Sequence, residues 1–323
     1  FVAIPGTVAN GWDFVEDAIK RGACAILSEH PPRRLDGIAQ ITVNDAHTAY
    51  AEMAAAFNGG PAEKLRVIGV TGTNGKTTTA YMIRDVLRAA GMDPGLLGTV
   101  AYELGERCIP AGRTTPDAGT IQSLLRQMVD IGCKSAVMEV SSHALVQKRT
   151  AAISFDVAIF TNLTRDHLDY HGTMEAYYEA KASLFRSLSP TAIAIINTDD
   201  AWGRKLQQEG LPGQVLTYGI ADGADVSAES VEVSAKGCRF VARTPWGDER
   251  VELQLLGRHN VSNALACIAS CCAQGVALPV ACKALSQLAT VRGRLEPVRG
   301  KQRFSVFVDY AHTDDALSHA LST

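Results

Sequence analysis

The stretch LRVIGVTGTNGKTTT at residues 65–79 decides the fold. Its first half is an apolar run typical of a buried strand, and its second half opens an amphipathic segment typical of a helix. The glycines of loop 72–75 let backbone N–H groups approach phosphate oxygens, and Lys76 adds a positive charge at the helix N-terminus. The hydroxyl of Thr77 or Thr78 is placed to reach a magnesium ion. This order of strand, loop and helix predicts a site for a nucleoside triphosphate.

The loop departs from the strict Gly-x4-Gly-Lys-Thr spacing, because position 70 is valine and the nearest upstream glycines are Gly69 and Gly72. A glycine-rich turn that binds no ligand is the alternative interpretation. The lysine and the run of hydroxyls in the right order favour phosphate binding.

Composition narrows the class of protein. The chain has 323 residues, of which 46% are hydrophobic and 20% charged, as in a globular protein of more than one domain. Its net charge of −3 shows no basic excess, so we expect no nucleic-acid partner. No run of about 18 apolar residues occurs, so we expect no membrane segment. The eight cysteines include no Cys-x-x-Cys pair, which favours buried thiols in a reducing cytoplasm.

The chain divides into an N-terminal unit at 1–61, a central unit at 62–300 and a hinge with the first strand of a third, Rossmann-like domain at 301–323. Gly59, Gly60 and Pro61 mark the first boundary. In the central unit, strand patterns alternate with helical patterns, which predicts an α/β fold with a mostly parallel sheet flanked by helices. Alternation with turns between residues 225 and 256 predicts antiparallel strands at the sheet edge. We expect further sequence before Phe1 and after Thr323.

Polar side chains follow two of the predicted strands. Glu139 ends one strand, where a carboxylate is suited to bind Mg²⁺ together with phosphate oxygens, although a structural salt bridge would also explain it. After the next strand, His167, Asp169 and His171 stand close together in the sequence. His167 and Asp169, and also His171, are candidate ligands of a second cation, and the alternative for His167 is a capping or hydrogen-bonded role.

Lys181 shares the apolar stripe of a predicted helix with Met174, Tyr178 and Phe185, at spacings of four, three and four. A lysine in this position either extends its amine to solvent or is desolvated. Desolvation lowers the pKa of a lysine, and a neutral amine can add CO₂ to form a carbamate that binds Mg²⁺. The sequence leaves both possibilities open.

Together with the loop, several ordered motifs resemble the Mur ligases. They cover nearly the whole chain: RTTPD at 113–117, EVSSHALVQKR at 139–149, TNLTRDHLDYHG at 161–172, Lys181, GRHNVSN at 257–263 and DYAH at 309–312. Within that family the motifs are most similar to the ligases that add the third amino acid to UDP-N-acetylmuramoyl-L-alanyl-D-glutamate in peptidoglycan precursor synthesis.

The resemblance implies ATP-driven amide synthesis through an acyl phosphate by a cytoplasmic, monomeric enzyme. The incoming amino acid would be meso-diaminopimelate rather than L-lysine, and Lys181 would carry a CO₂-derived carbamate that helps to hold two Mg²⁺ ions. Lys76, Glu139, His167 and Lys181 would be catalytic. The implied ATP ligands are Gly72, Thr73, Asn74, Gly75, Lys76, Thr77, Thr78, Asn260 and Asn263. The implied substrate ligands are Thr114, Thr115, Ser141, Gln147 and Arg149, and the implied metal ligands are Thr77, Glu139, His167 and Lys181.

Two departures and two rival functions accompany this interpretation. The family's amino-acid-selecting domain would follow residue 323, and Asp314 stands where the family has proline, so we expect the chain alone to be poorly active. A folylpolyglutamate synthase shares the loop and the lysine chemistry, but the SSHALVQ segment at 141–147 and the small N-terminal unit favour a muramoyl ligase. A non-catalytic nucleotide-binding module is the other alternative.

Overall fold

The computed structural model describes residues 1–6, 9–221, 223–298, 300 and 304–321. The strands in these ranges are β1 (Val2–Ala3), β2 (Ala25–Ser28), β3 (Ala39–Thr42), β4 (Arg66–Thr71), β5 (Pro94–Leu97), β6 (Ala101–Leu104), β7 (Arg107–Pro110), β8 (Ser135–Glu139), β9 (Val157–Phe160), β10 (Ile193–Asn197), β11 (Gln214–Gly219), β12 (Val226–Ser234), β13 (Gly237–Thr244), β14 (Gly247–Leu253), β15 (Glu296–Pro297) and β16 (Phe307–Val308). The α-helices are α1 (Val15–Lys20), α2 (Ala46–Phe57), α3 (Lys76–Ala89), α4 (Ala118–Asp130), α5 (Ser142–Val146), α6 (Leu168–His171), α7 (Met174–Arg186), α8 (Ala201–Gln207), α9 (Arg258–Cys272), α10 (Leu278–Gln287) and α11 (Asp314–Leu321).

The large sheet has the strand order β14-β13-β12-β11-β10-β9-β4-β8-β5-β6-β7. The seven strands from β12 to β5 in this order are parallel, and the outer strands on each side are antiparallel. β4 lies between β9 and β8, so the loop after β4 opens between the carboxyl ends of two neighbouring strands. In sheets of this kind, ligand sites gather at that edge.

The central strands are apolar because helices cover both faces of the sheet. Residues Ile68 and Ile159 pack with α3, α9 and α10 on one face. Their neighbours Val67 and Phe160 pack with α4, α7 and α8 on the other face. Each fully buried side chain of this size contributes about 1.5–3 kcal/mol relative to an exposed one. The α/β fold predicted from the sequence is therefore confirmed, including its antiparallel edge at β12–β14.

The N-terminal strands β1, β2 and β3 form a separate parallel sheet, and α2 packs against α4 of the large sheet. Two polar contacts join the two parts. The Tyr50 hydroxyl donates to Asp117 Oδ1 at 3.2 Å, and Lys148 forms an ion pair with Asp45. The pKa of Asp45 falls to about 2, because hydrogen bonds from Lys148 and from Thr48 outweigh the opposing effect of burial. These contacts bridge the N-terminal unit and the unit built on the large sheet.

The structure adds elements that the pattern did not predict. Strands β5, β6 and β7 extend the second edge of the sheet, and β15 is a further addition. β15 pairs with β16, which lies where the sequence predicts the first strand of the segment 301–323. Each of β5–β7 has only four residues, too few to show a clear period. Among the described residues, no helix is both long enough and apolar enough to cross a membrane.

Candidate functional site

The phosphate-loop candidate 72–75 has the glycines that its backbone requires. Gly72 has φ +148°, and a Cβ there would lie 1.8 Å from the Thr161 hydroxyl oxygen. Gly75 has φ +86°, and its Cβ would lie 2.5 Å from Asn263 Oδ1. Both positions therefore exclude a side chain by space as well as by conformation.

Residues after β9 hold this loop in place. The Asn74 N–H donates to Asn162 Oδ1 at 2.9 Å, and the Asn74 carbonyl accepts from the Thr161 hydroxyl at 2.6 Å. The Thr73 N–H donates to the Asn162 carbonyl at 2.9 Å. The loop shape is thus fixed by contacts about 90 residues away in the sequence. A fixed loop of this kind presents its remaining N–H groups to an anion without a further ordering cost.

Two lysine amines converge on the loop. Lys76, the first residue of α3, donates to the carbonyls of Gly72 and Thr73 at 2.9 and 2.8 Å. Lys181 donates to the same Gly72 carbonyl at 2.8 Å. Only 1% of Lys181 is exposed, so its amine does not extend to solvent. Burial, followed by the nearby charge of Lys76, lowers the pKa of Lys181 well below its usual value.

Glu139 ends β8 beside the loop and is 1% exposed. Its Oε2 accepts from the Thr77 hydroxyl at 2.9 Å and from the Thr99 hydroxyl at 3.1 Å, and its Oε1 accepts from the Thr99 N–H at 2.8 Å. Within the described part of the chain Glu139 forms no ion pair, which removes the salt-bridge explanation of this carboxylate. Three hydrogen bonds and the nearby positive charge of Lys76 stabilise this buried carboxylate, and a bound cation would stabilise it further.

The oxygen donors of Glu139 and Thr77 fit a hard divalent cation. Mg²⁺ commonly takes one or two protein oxygens and completes its shell with phosphate oxygens and water. No group of three or more His, Cys, Asp and Glu residues suited to a metal occurs in the described ranges. The protein would therefore supply few ligands, and bound phosphate would supply the others.

His167 lies in a cluster of rings. Its backbone is left-handed, with φ +51°, and its N–H donates to Asp166 Oδ1 at 2.8 Å. Its ring centroid lies 4.8 Å from that of His143 and 6.2 Å from that of Tyr177. Burial lowers the pKa of His167, and the neighbouring Asp166 carboxylate opposes this shift. The neutral imidazole can bind a metal, but it makes no hydrogen bond to Thr77 or Glu139.

The substrate candidates lie on the other side of Glu139. The Thr115 hydroxyl donates to the Glu139 carbonyl at 2.7 Å and accepts from the Ser141 N–H at 3.0 Å. The Thr114 and Thr99 hydroxyl oxygens are 3.0 Å apart. Thr115 and Ser141 are therefore linked to the backbone of Glu139, and Thr114 is linked through Thr99 to its carboxylate.

Arg149 and Gln147 line a cleft of about 530 Å³ between the N-terminal sheet and the large sheet. Arg149 donates from Nε and Nη2 to Gln147 Oε1 at 3.0 and 2.6 Å, and from Nη1 to the Thr115 carbonyl at 2.7 Å. All three acceptor contacts are to uncharged groups. Burial, followed by the positive charge of Arg113, lowers the pKa of Arg149. A half-buried guanidinium with this surrounding favours an anionic ligand.

A second cavity, of about 670 Å³, opens over the loop. Asn260 and Asn263 line it, and they are joined by a hydrogen bond from Asn263 Nδ2 to Asn260 Oδ1 at 3.0 Å. The Thr79 hydroxyl donates to Asn263 Oδ1 at 3.3 Å, which connects these amides to α3. The structure thus brings the two asparagines to the loop across more than 180 residues of sequence.

Three residues of the candidate site were not predicted from the sequence. Arg294 lines the same cavity and donates from Nη2 to the Thr77 hydroxyl at 3.0 Å. Thr99 binds Glu139, and Asn162 holds the loop. Asn162 stands within a motif that the sequence does show, whereas Arg294 and Thr99 lie in irregular segments where no period or spacing connects them to the loop.

Comparison with known proteins places this geometry in a family. Residues 70–271 match the sequence profile of the Mur ligase middle domain. A curated relative from Geobacter sulfurreducens, named UDP-N-acetylmuramoyl-L-alanyl-D-glutamate–2,6-diaminopimelate ligase, is 43% identical over 329 residues. That alignment covers 100% of this chain and 64% of the relative, so the chain spans less than two thirds of the relative's length.

Solved structures of related ligases are similar to this chain. A structure of a UDP-N-acetylmuramoyl-L-alanyl-D-glutamate–2,6-diaminopimelate ligase matches with a TM-score of 0.83 and 32% identity, over 100% of this chain and 66% of that one. The folylpolyglutamate synthase of Mycobacterium tuberculosis matches with a TM-score of 0.70 and 20% identity, over 85% of this chain and 70% of that one. The second likeness concerns the fold alone.

Proposed function

Because this chain belongs to the Mur ligase family, we propose that it binds ATP and UDP-N-acetylmuramoyl-L-alanyl-D-glutamate for a ligase that adds 2,6-diaminopimelate. The relatives' names support diaminopimelate over L-lysine. The observation that carries the proposal is the hydrogen bond from Thr77 to the buried carboxylate of Glu139, directly beside the lysine-bearing loop. This arrangement suits a magnesium-bound triphosphate.

The reaction we propose has two balanced steps. A D-glutamyl carboxylate oxygen attacks the γ-phosphorus of ATP, and ADP leaves with the electrons of the broken P–O bond. The amine of diaminopimelate then attacks the acyl carbon of the acyl phosphate, loses a proton and expels inorganic phosphate. Transfer of this kind depends mainly on positioning and on neutralising the phosphate charge.

Different residues of the chain position the two substrates and neutralise the phosphate charge. Loop N–H groups and Lys76 hold the phosphates, with Asn260, Asn263 and Arg294 around the remainder of the nucleotide. Arg149 binds an anionic group of the muramoyl substrate and fixes its direction, because its fork is already oriented by Gln147.

The residues that we assign to ATP are Gly72, Thr73, Asn74, Gly75, Lys76, Thr77, Thr78, Asn260, Asn263 and Arg294. Those that we assign to the substrate are Thr114, Thr115, Ser141, Gln147 and Arg149.

Bound Mg²⁺ would neutralise charge on the transferred phosphoryl group. Thr77 and Glu139 would hold one ion, and His167 with Lys181 would hold the second. We propose that Lys181 is carbamylated, because its buried amine forms no ion pair with the described residues and its lowered pKa favours the neutral form that can add CO₂. The carbamate would supply the negative charge that the second ion needs.

We also propose the division into units at 1–61, 62–300 and 301–323, and a monomeric protein that works in the cytoplasm without nucleic acid. The separate N-terminal sheet supports the first boundary. Eight free cysteines, six of them buried, are consistent with a reducing compartment.

Ligand binding distinguishes this proposal from its rivals. Calorimetry should show that the chain binds Mg²⁺–ADP and UDP-N-acetylmuramoyl-L-alanyl-D-glutamate, and does not bind dihydrofolate. Binding of dihydrofolate alone would favour a folylpolyglutamate synthase. In the complete protein, phosphate release that requires both the muramoyl substrate and diaminopimelate would exclude a non-catalytic nucleotide-binding module.

A further inference from the structure

Tyr177 contacts both the phosphate-binding loop and Lys181, although the proposed reaction assigns it no role. It lies in the first turn of α7, a helix whose start is fixed by the Thr173 hydroxyl accepting from the Ala176 N–H at 3.1 Å. Tyr177 is 1% exposed. Its hydroxyl oxygen is 3.2 Å from the Thr73 hydroxyl in the loop, and its ring centroid is 4.6 Å from Lys181 Nζ.

The direction of the hydroxyl contact follows from the other bonds of Thr73. The Thr73 hydroxyl has one hydrogen, which it donates to the Thr164 carbonyl at 3.2 Å, and it accepts from the Thr164 N–H at 3.0 Å. A second acceptor position remains, so the Tyr177 hydroxyl is the donor.

The ring of Tyr177 contacts Lys181, which binds the neighbouring residue of the same loop. Lys181 follows Tyr177 by one helical turn, so its side chain extends over the tyrosine ring toward the Gly72 carbonyl. The hydroxyl of Tyr177 reaches the residue immediately after Gly72. One rigid aromatic side chain therefore contacts Thr73 directly and supports the amine that holds Gly72.

We propose that Tyr177 is a positioning residue that keeps the phosphate-binding loop and Lys181 in register with each other. The inference rests on the proposed function, since it assumes that loop 72–78 binds ATP. It adds a residue from α7 to a site otherwise formed by the loop, α3 and the strand ends.

The test compares Tyr177→Phe with Tyr178→Phe in the same chain. Both tyrosines are fully buried and both donate their hydroxyl, but Tyr178 donates to Glu209, away from the loop. Loss of either hydrogen bond should lower the melting temperature. Only Tyr177→Phe should weaken ADP binding measured by calorimetry, by about fivefold, because only that change frees Thr73.

Equal ADP affinity in the two variants, with the parent chain binding ADP, would overturn the inference and leave the proposed function intact. Absence of ADP binding by the parent chain would refute both. The ¹³C signal of a carbamate on Lys181 should persist in Tyr177→Phe, which keeps the ring.

Substitutions of Thr73 supply a second route if Tyr177→Phe does not fold. Thr73→Ser keeps the hydroxyl and should retain most of the ADP affinity, whereas Thr73→Ala should weaken binding. Where both changes fold, the double variant Thr73→Ala/Tyr177→Phe should bind ADP about as well as Thr73→Ala alone, because the two changes remove one interaction. Fully additive losses would contradict the proposed link.

Discussion

Lys76 and Lys181 donate to one acceptor, the carbonyl oxygen of Gly72, at 2.9 and 2.8 Å. Two full positive charges on one carbonyl oxygen in a buried site would repel each other. The pKa of Lys181 is lowered by burial and by Lys76, which relieves that repulsion by favouring its neutral amine. Burial also lowers the pKa of Lys76, but the nearby Glu139 carboxylate opposes that shift. Lys76 is therefore the better suited of the two to bind phosphate as a cation, and Lys181 to react as a nucleophile toward CO₂.

Carbamylation of Lys181 gives the first prediction. The chain equilibrated with ¹³C-bicarbonate should show a carbamate signal by ¹³C NMR, and the signal should disappear in Lys181→Ala. Lys205→Ala, at a lysine on the surface of α8, should retain it. A parent spectrum without a carbamate signal near neutral pH would contradict the assignment.

Lys76→Ala should abolish detectable ADP binding in calorimetry, because a phosphate-facing charge and two contacts that order the loop are lost together. The circular dichroism spectrum should remain that of a folded α/β protein. Lys64→Ala, at an exposed lysine ahead of β4, is the matched control and should bind ADP like the parent. If Lys76→Ala bound as tightly as the control, the loop would be only a turn.

Glu139→Gln should remove the effect of magnesium on nucleotide affinity. In the parent, ADP should bind more tightly with Mg²⁺ than with a chelator, and in the variant the two affinities should be similar, because an amide is a weak ligand for Mg²⁺. Glu103→Gln is the control, because the Glu103 carboxylate is also largely shielded from solvent but is paired with Arg84. That control should lose stability and keep the magnesium effect.

Stability should fall between pH 6.5 and pH 4 partly through His171. Burial, with the neighbouring His143, lowers the pKa of His171 from 6.5 to about 4. Between these values the unfolded chain binds a proton at this imidazole that the folded protein does not, so the free energy of unfolding decreases as the pH falls.

His171→Gln tests this, because the amide can still bind the Ser142 hydroxyl, which lies 2.9 Å from His171 Nε2. Urea unfolding followed across this range should show a pH slope reduced by up to about one proton. Unchanged slopes would mean that His171 titrates alike in both states.

The sequence predicted those parts of the site that follow a strand directly. Glu139 and loop 72–75 could be placed together because parallel strands present their carboxyl ends at one edge. The apolar stripe of α7 placed Lys181 among core-facing residues but left open whether its amine reaches solvent, and the structure shows that it does not. Thr99 and Arg294 could not be assigned to the site from the sequence. They lie in irregular segments, and only tertiary packing brings Thr99 to Glu139 and Arg294 to Thr77.

The left-handed backbone of His167, and the cluster of rings that it joins, likewise depend on packing between α5, α6 and α7. The roles of His167 and of the substrate residues stay predictions.

The most direct test of the proposed substrate site is calorimetric titration with UDP-N-acetylmuramoyl-L-alanyl-D-glutamate, in parallel for the parent, Arg149→Ala and the control Arg126→Ala. Arg126 is a surface arginine paired with Asp130 on α4. We expect one-to-one binding by the parent and the control, an affinity at least about tenfold lower in Arg149→Ala, and little change in ADP binding in any of them. Absence of binding by the parent, or an Arg149→Ala variant that loses both ligands equally, would contradict the proposed substrate site.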